Sequence, residues 1–230
     1  AVLAKIVTAL DLVSNGRATL GIGCGWFELE HEAFGIDFNT FTERFEKLEE
    51  ALQIIIPMLK GERPSLDGKH YQVTEAINSP APQSKVPIMI GGGGEKKTLR
   101  MVAQYADESN LICAPHEIGR KIAALDEHCE RLGRDRSEIK VTKLLMGVLG
   151  RTMEEANASI DAYMELHGWP AEAAELMKPM MTIGDPDTFG ELIQEQIDAG
   201  LDGITMNLAT AAHDHELIGI AGEICNKIVP

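Results

Sequence analysis

Apolar residues fall at Val2, Leu3, Ile6, Val7, Leu10 and Val13, the spacing of a helix face, and Asn15-Gly16 supplies a stop. Five short apolar runs read as strands: ATLGIGCG (18–25), PIMI (87–90), SNLICA (109–114), IKVTKLLMGVLG (139–150) and GITMNLA (203–209). Helical stretches alternate with them. The longest starts at a capping box, Thr40 and Glu43, and lines up Phe45, Leu48, Leu52, Ile55 and Leu59. Others span 95–106, 116–132, 152–166, 185–200 (opened by Asp185 and Pro186) and 214–228. Residues 61–86 are turn-rich, with HYQV (70–73) as one short strand, and 169–181 is irregular.

Strand then helix, repeated, implies parallel strands joined by helical crossovers. The expected fold class is α/β, of the (β/α)8 TIM-barrel type. A complete barrel needs eight strands and about 250 residues, so residues 1–230 read as a single barrel domain short of about three N-terminal strands. Strands 18–25 and 203–209 then sit at open edges, which invite pairing. A further segment, a partner or a local rearrangement would cover them, and a homo-oligomer is the expected assembly.

The net charge of −15 argues against nucleic acid, whose phosphates call for clustered Lys and Arg. No apolar run reaches the ~18–20 residues of a membrane helix, and no secretory leader pattern opens the chain. Cys24, Cys113, Cys129 and Cys225 form no CxxC pair, which fits reduced thiols. A cytoplasmic protein acting on a small molecule is the expectation.

Two glycine-rich turns close successive strands, GIGCGW (21–26) and GGGGEKKT (91–98). The second differs from a P-loop in having Lys96 where the last glycine belongs, and no strand ending in a magnesium-binding Asp follows. The first lacks the third glycine of a dinucleotide fingerprint, with Trp26 in its place. Glycine is entropically costly, so four in a row suggest a close backbone approach, an anion at a helix N-terminus being the leading candidate. Lys96 and Lys97 either neutralise that anion or lie exposed. His31-Glu32 and His116-Glu117 lack the second histidine of a zinc motif, and His213 and His215 suit a polar helix start; no metal is expected. Cys24 has no locally paired histidine and suits a crowded turn. The acidic run FELEHEAFG (27–35) is either a solvated loop or the rim of a pocket, and Arg44 and Glu50 suit ion pairing or a solvated helix face.

The stretches LAKIVTALDLVSNGRATLGIGCGWFELEHEAFG, ERFEKLEEAL and PIMIGGGGEKKTLRMVAQYADESN, in this order, resemble the bacterial luciferase-like family of flavin- and deazaflavin-dependent oxidoreductases. The resemblance runs from residue 1 to about 208, and GGGGEKKTL is most like the coenzyme F420 subgroup. It implies that Gly91, Gly92, Gly93 and Gly94 hold the cofactor phosphate through backbone N–H groups. It also implies that Gly23, Cys24 and Gly25 line the wall beside the cofactor ring. The implied activity is F420-dependent hydride transfer to or from a small organic substrate. The alternatives are an FMN monooxygenase using O2 and a non-catalytic remnant that binds a ligand or partner. Trp26, Glu28 and Glu30 match positions near the pocket, and no catalytic residue is assigned.

Overall fold

The computed structural model describes residues 1–229. Helix α1 (Val2–Val13) ends where Asn15 and Gly16 take positive φ, 57° and 79°, as the stop pair predicts. Strand β1 (Leu20–Ile22) leads to α2 (Glu28–Ala33) and α3 (Phe41–Leu59). The capping box forms: Glu43 N donates to Thr40 Oγ1 (3.3 Å) and Thr40 N to the Glu43 carboxylate (3.0 Å). A small antiparallel hairpin, β2 (Leu66–Asp67) and β3 (Gln72–Val73), precedes β4 (Ile88–Gly91) and α4 (Thr98–Tyr105). Then come β5 (Glu108–Leu111), α5 (Ile118–Leu132), β6 (Lys140–Leu149), α6 (Met153–Leu166) and α7 (Ala171–Met177). The described elements close with β7 (Met181–Gly184), α8 (Pro186–Asp198), β8 (Gly203–Asn207) and α9 (His215–Ile228).

The five strands read from the sequence form one parallel arc, β1-β4-β5-β6-β8. Strand β6 is long enough to serve three neighbours. Residues 140–143 pair with β5, 142–146 with β8, and 146–149 with β7. β7 begins at the last residue of the segment read as irregular, was not expected as a strand, and extends the sheet beyond the arc. Among the described residues β1, β7 and β8 each pair with one strand, so the sheet is open at β1 and at the β7 and β8 end.

Alternation along the strands sends Leu20, Ile88, Ile90, Leu111 and Val141 to the helix side. There they join Leu52, Met58, Leu99, Val102 and Leu125 in one core, each such burial being worth about 1.5–3 kcal/mol. A second cluster, Leu145, Phe189, Ile193 and Leu217, lies under α8 and α9. The opposite face is more polar. Asn110 Nδ2 donates to Thr142 Oγ1 and Thr205 Oγ1 (2.9 Å each), and Thr142 Oγ1 donates to Glu108 (2.7 Å).

Three sequence readings need correction. Helix α4 begins at Thr98, not Glu95, because residues 95–97 form a turn. The acidic run 27–35 contains α2, which has no buried residue. The apolar stripe of α1 is largely exposed, with Val2 73% and Val13 84% accessible, while Ala4, Val7 and Asp11 face inward. Asp11 is an anchor: its carboxylate accepts from Gln83 N (2.7 Å), Ser84 N (3.1 Å) and Ser84 Oγ (2.9 Å).

Candidate cofactor site

At the end of β4 the chain makes one last sheet bond, Gly92 N to Asn110 O (3.0 Å), and turns away at Gly92, whose φ is +130°. The N–H groups of Gly93, Gly94, Glu95 and Lys96 then have no acceptor among the described residues. Leu99 N donates to Gly94 O (3.0 Å) and starts α4. With Lys97 N, which also lacks an acceptor among the described residues, five consecutive unpaired donors thus precede the positive end of a helix, the arrangement that receives anions. The turn is held from behind. His128 Nε2 lies 2.7 Å from Glu95 O, and the Glu95 carboxylate is paired with Lys121 (2.9 Å) and Arg120. Hydrogen bonding from Lys121 is the main influence holding the Glu95 carboxyl below the usual range.

The glycines have different reasons. A Cβ on Gly93 would run into Ile112 O on the next turn, far inside contact distance. Cβ atoms on Gly92 and Gly94 would press on Thr98, at 3.2 and 3.0 Å. A Cβ on Gly91 would meet nothing within 4 Å. Gly93 is therefore required by packing on the protein itself, and the open space lies at Gly91. Being in register with Asn110, Gly91 sits on the polar face of the sheet.

The β1 turn adjoins this loop. A Cβ on Gly23 would lie 3.7 Å from Gly91 O, so the two glycine turns meet at the carboxyl ends of neighbouring strands. Gly25 has φ +74° and packs on the His31 ring. Cys24 packs with Ile22 against the helix-side core, and with Gly23 it lines a hollow of about 310 Å³ beside Leu3, His31, Arg44 and Lys47. Trp26 is exposed and stacked on Phe27, their ring centroids 5.3 Å apart, and Glu28 and Glu30 are exposed on α2.

Lys97 is directed to aromatic rings, its Nζ 5.1 Å from the Phe41 centroid and 5.3 Å from that of Phe45. Lys96 is exposed. Arg44 lies over Phe38 at 3.8 Å and donates to Asn39 O (2.9 Å). Glu50 receives three backbone N–H groups of the hairpin. These last two are structural. Thr98 and His128, which shape and fix the glycine turn, went unnoticed in the sequence; Thr98 had a signal in occupying the P-loop Thr position.

A hollow of about 670 Å³ is at the other end of the strands, lined by Ile56, Lys60, Val86, Tyr105 and Arg134. The carboxyl ends of α3 and α4 point there, which disfavours an anion. Among the described residues no cluster of three or more His, Cys, Asp or Glu is arranged to hold a metal ion, and no helix is long and apolar enough to cross a membrane.

A parallel half-barrel with a glycine cradle at the carboxyl ends of its strands defines an α/β protein of the barrel type. The chain belongs to the luciferase-like monooxygenase family, whose sequence profile matches residues 1–203. An F420-dependent glucose-6-phosphate dehydrogenase of Microbacterium testaceum is 32% identical over 141 residues, 60% of this chain and 41% of that protein. The chain thus spans less than half of that relative's length. Two solved structures share the fold. An F420-dependent secondary alcohol dehydrogenase in complex with an F420-acetone adduct superposes with TM-score 0.84 at 16% identity, covering 100% of this chain and 75% of that one. The oxygenating constituent of 3,6-diketocamphane monooxygenase from Pseudomonas putida, a type II Baeyer-Villiger monooxygenase in complex with FMN, gives 0.68 at 19%, covering 99% and 76%.

Proposed function

We propose that residues 1–230 act as one luciferase-like barrel unit, five strands of the eight-strand plan, in an F420-dependent oxidoreductase that moves hydride to or from a small organic substrate. The observation that carries this reading is the row of unpaired N–H groups from Gly93 onward, beside Gly91, at the strand ends where barrel ligands bind. Gly93, Gly94, Glu95 and Lys96 would hold the cofactor phosphate, and Gly23 and Gly91 would leave room for the chain linking it to the ring. F420, when bound, supplies the hydride-carrying ring; the protein supplies orientation. The His128 bond to Glu95 O keeps the donors in place before the ligand arrives, which limits the cost of ordering them.

FMN is the second reading, favoured by the fold shared with an FMN complex. Both cofactors carry a phosphate on a ribityl chain, so the cradle suits either. A cytoplasmic homo-oligomer belongs to the same proposal, the exposed α1 stripe and the β1 edge being available for contact.

Calorimetric titration of the purified chain with F420 and, separately, with FMN tests this. Both are expected to bind through the cradle, F420 more tightly than FMN. Binding of FMN alone would favour the monooxygenase, and binding of neither would contradict a working cofactor site in this chain.

A further inference from the structure

Lys143 is the anomaly of the helix side. It is 0% exposed, and its Nζ has no hydrogen-bond partner among the described residues. Its register partners are Leu111 on β5 and Ile204 on β8, so the stem runs among apolar side chains. Burial pushes the amine below the ordinary lysine range, and the one titratable neighbour that counters this is the Cys113 thiol. No carboxylate answers the charge. An ammonium left this way is costly, and a buried polar group without a partner calls for an explanation.

Cys113 relates this charge to the glycine cradle. It lies two residues beyond Leu111, and its Cβ is 3.9 Å from the place a Cβ on Gly93 would take. The neighbouring residue, Ile112, supplies the carbonyl on which Gly93 rests. Burial raises the Cys113 thiol, and beyond Lys143 it feels Glu117, Lys121 and Arg120. Those three are matched with one another and with Glu95 by ion pairs. Lys143 is the cation left over.

We propose that Lys143 is a positioning residue for the anion in the glycine cradle, a buried ammonium beneath the Gly93 turn that supplements the backbone donors. This rests on reading the cradle as the cofactor-phosphate site. A buried charge is screened less than an exposed one such as Lys96, so it acts across the turn without touching the ligand. By reciprocity, an anion in the cradle favours the charged amine. The competing occupant is an ordered water on Lys143 Nζ, which would answer the amine without any anion.

Lys143→Met keeps the bulk of the stem and removes the charge. FMN and riboflavin, which differ by the phosphate, are titrated against the unaltered protein and the variant at one ionic strength. The expected result is an affinity for FMN about tenfold lower, an unchanged affinity for riboflavin, and a melting temperature no lower than before. An equal loss for both ligands, or no loss, would overturn the role of Lys143 while leaving the cradle reading standing. If the unaltered protein shows no preference for FMN over riboflavin, the cradle reading fails and Lys143 with it. A second measurement needs no variant. The Lys143 13Cε shift is followed against pH with and without inorganic phosphate; phosphate should raise the amine's pKa, and an unmoved titration contradicts the proposal.

Discussion

Gly91→Val separates the fold from the ligand. Gly91 is the last residue of β4, in register with Asn110 and outside the left-handed region, so a β-branched residue suits its backbone. Its Cβ would meet nothing within 4 Å. Replacing a strain-free glycine removes unfolded-state freedom, and the expected change in folding stability is a gain of about 0–1 kcal/mol. Binding moves the other way. The valine methyls would enter the open space on the polar face at Gly91, where the link to the phosphate would pass. Hydrogen bonds from N–H groups to a charged phosphate contribute about 1.5–3 kcal/mol each, and losing even one lowers affinity about tenfold or more. Urea unfolding and calorimetric titration with F420 and FMN on the same preparation give both quantities. A stable Gly91→Val variant with unchanged affinity for both cofactors would refute the placement of the ligand.

Gly93→Ala should do the reverse, costing about 1–3 kcal/mol of folding stability because the methyl presses on Ile112 O; a melting temperature equal to that of the parent would contradict this packing. Thr40→Ala removes the cap of α3 and should cost about 1 kcal/mol in urea unfolding, and a loss near zero would show the cap to be redundant. Glu50 accepts from Lys69 N (2.8 Å), His70 N (2.9 Å) and Tyr71 N (2.8 Å). Burial raises its pKa, but these bonds outweigh burial and leave it below the usual value. Its stabilisation is therefore complete above the ordinary glutamate range and is lost as pH falls through the depressed folded value. Hydrogen-exchange protection of residues 69–71 should drop as pH falls below the ordinary glutamate range and in Glu50→Gln at neutral pH; protection unchanged in both would contradict the assignment.

The arc of five strands was legible because each is a short apolar run between helical stretches. β7 was not: MTIG follows a Met- and Pro-rich segment and is set by the overhanging end of β6. α2 escaped notice because its residues bury nothing, leaving no apolar face to read. The glycine run marks the turn after β4, but close approach to a ligand is not the reason for every glycine in it. Gly93 answers to Ile112 O, a contact between turns on different strands that no local pattern reveals. The same holds for Lys143. Within KVTKLLMG it reads as a polar break, and only the pleat of β6 and the helices above it bury the amine.

The most direct test is the amide 1H–15N spectrum of the chain during addition of FMN or F420. Large shifts confined to Gly93, Gly94, Glu95 and Lys96 and their immediate surroundings are the predicted result. Shifts clustered instead around Lys60, Tyr105 and Arg134, at the opposite end of the strands, with the glycine-turn amides unmoved, would contradict the cradle.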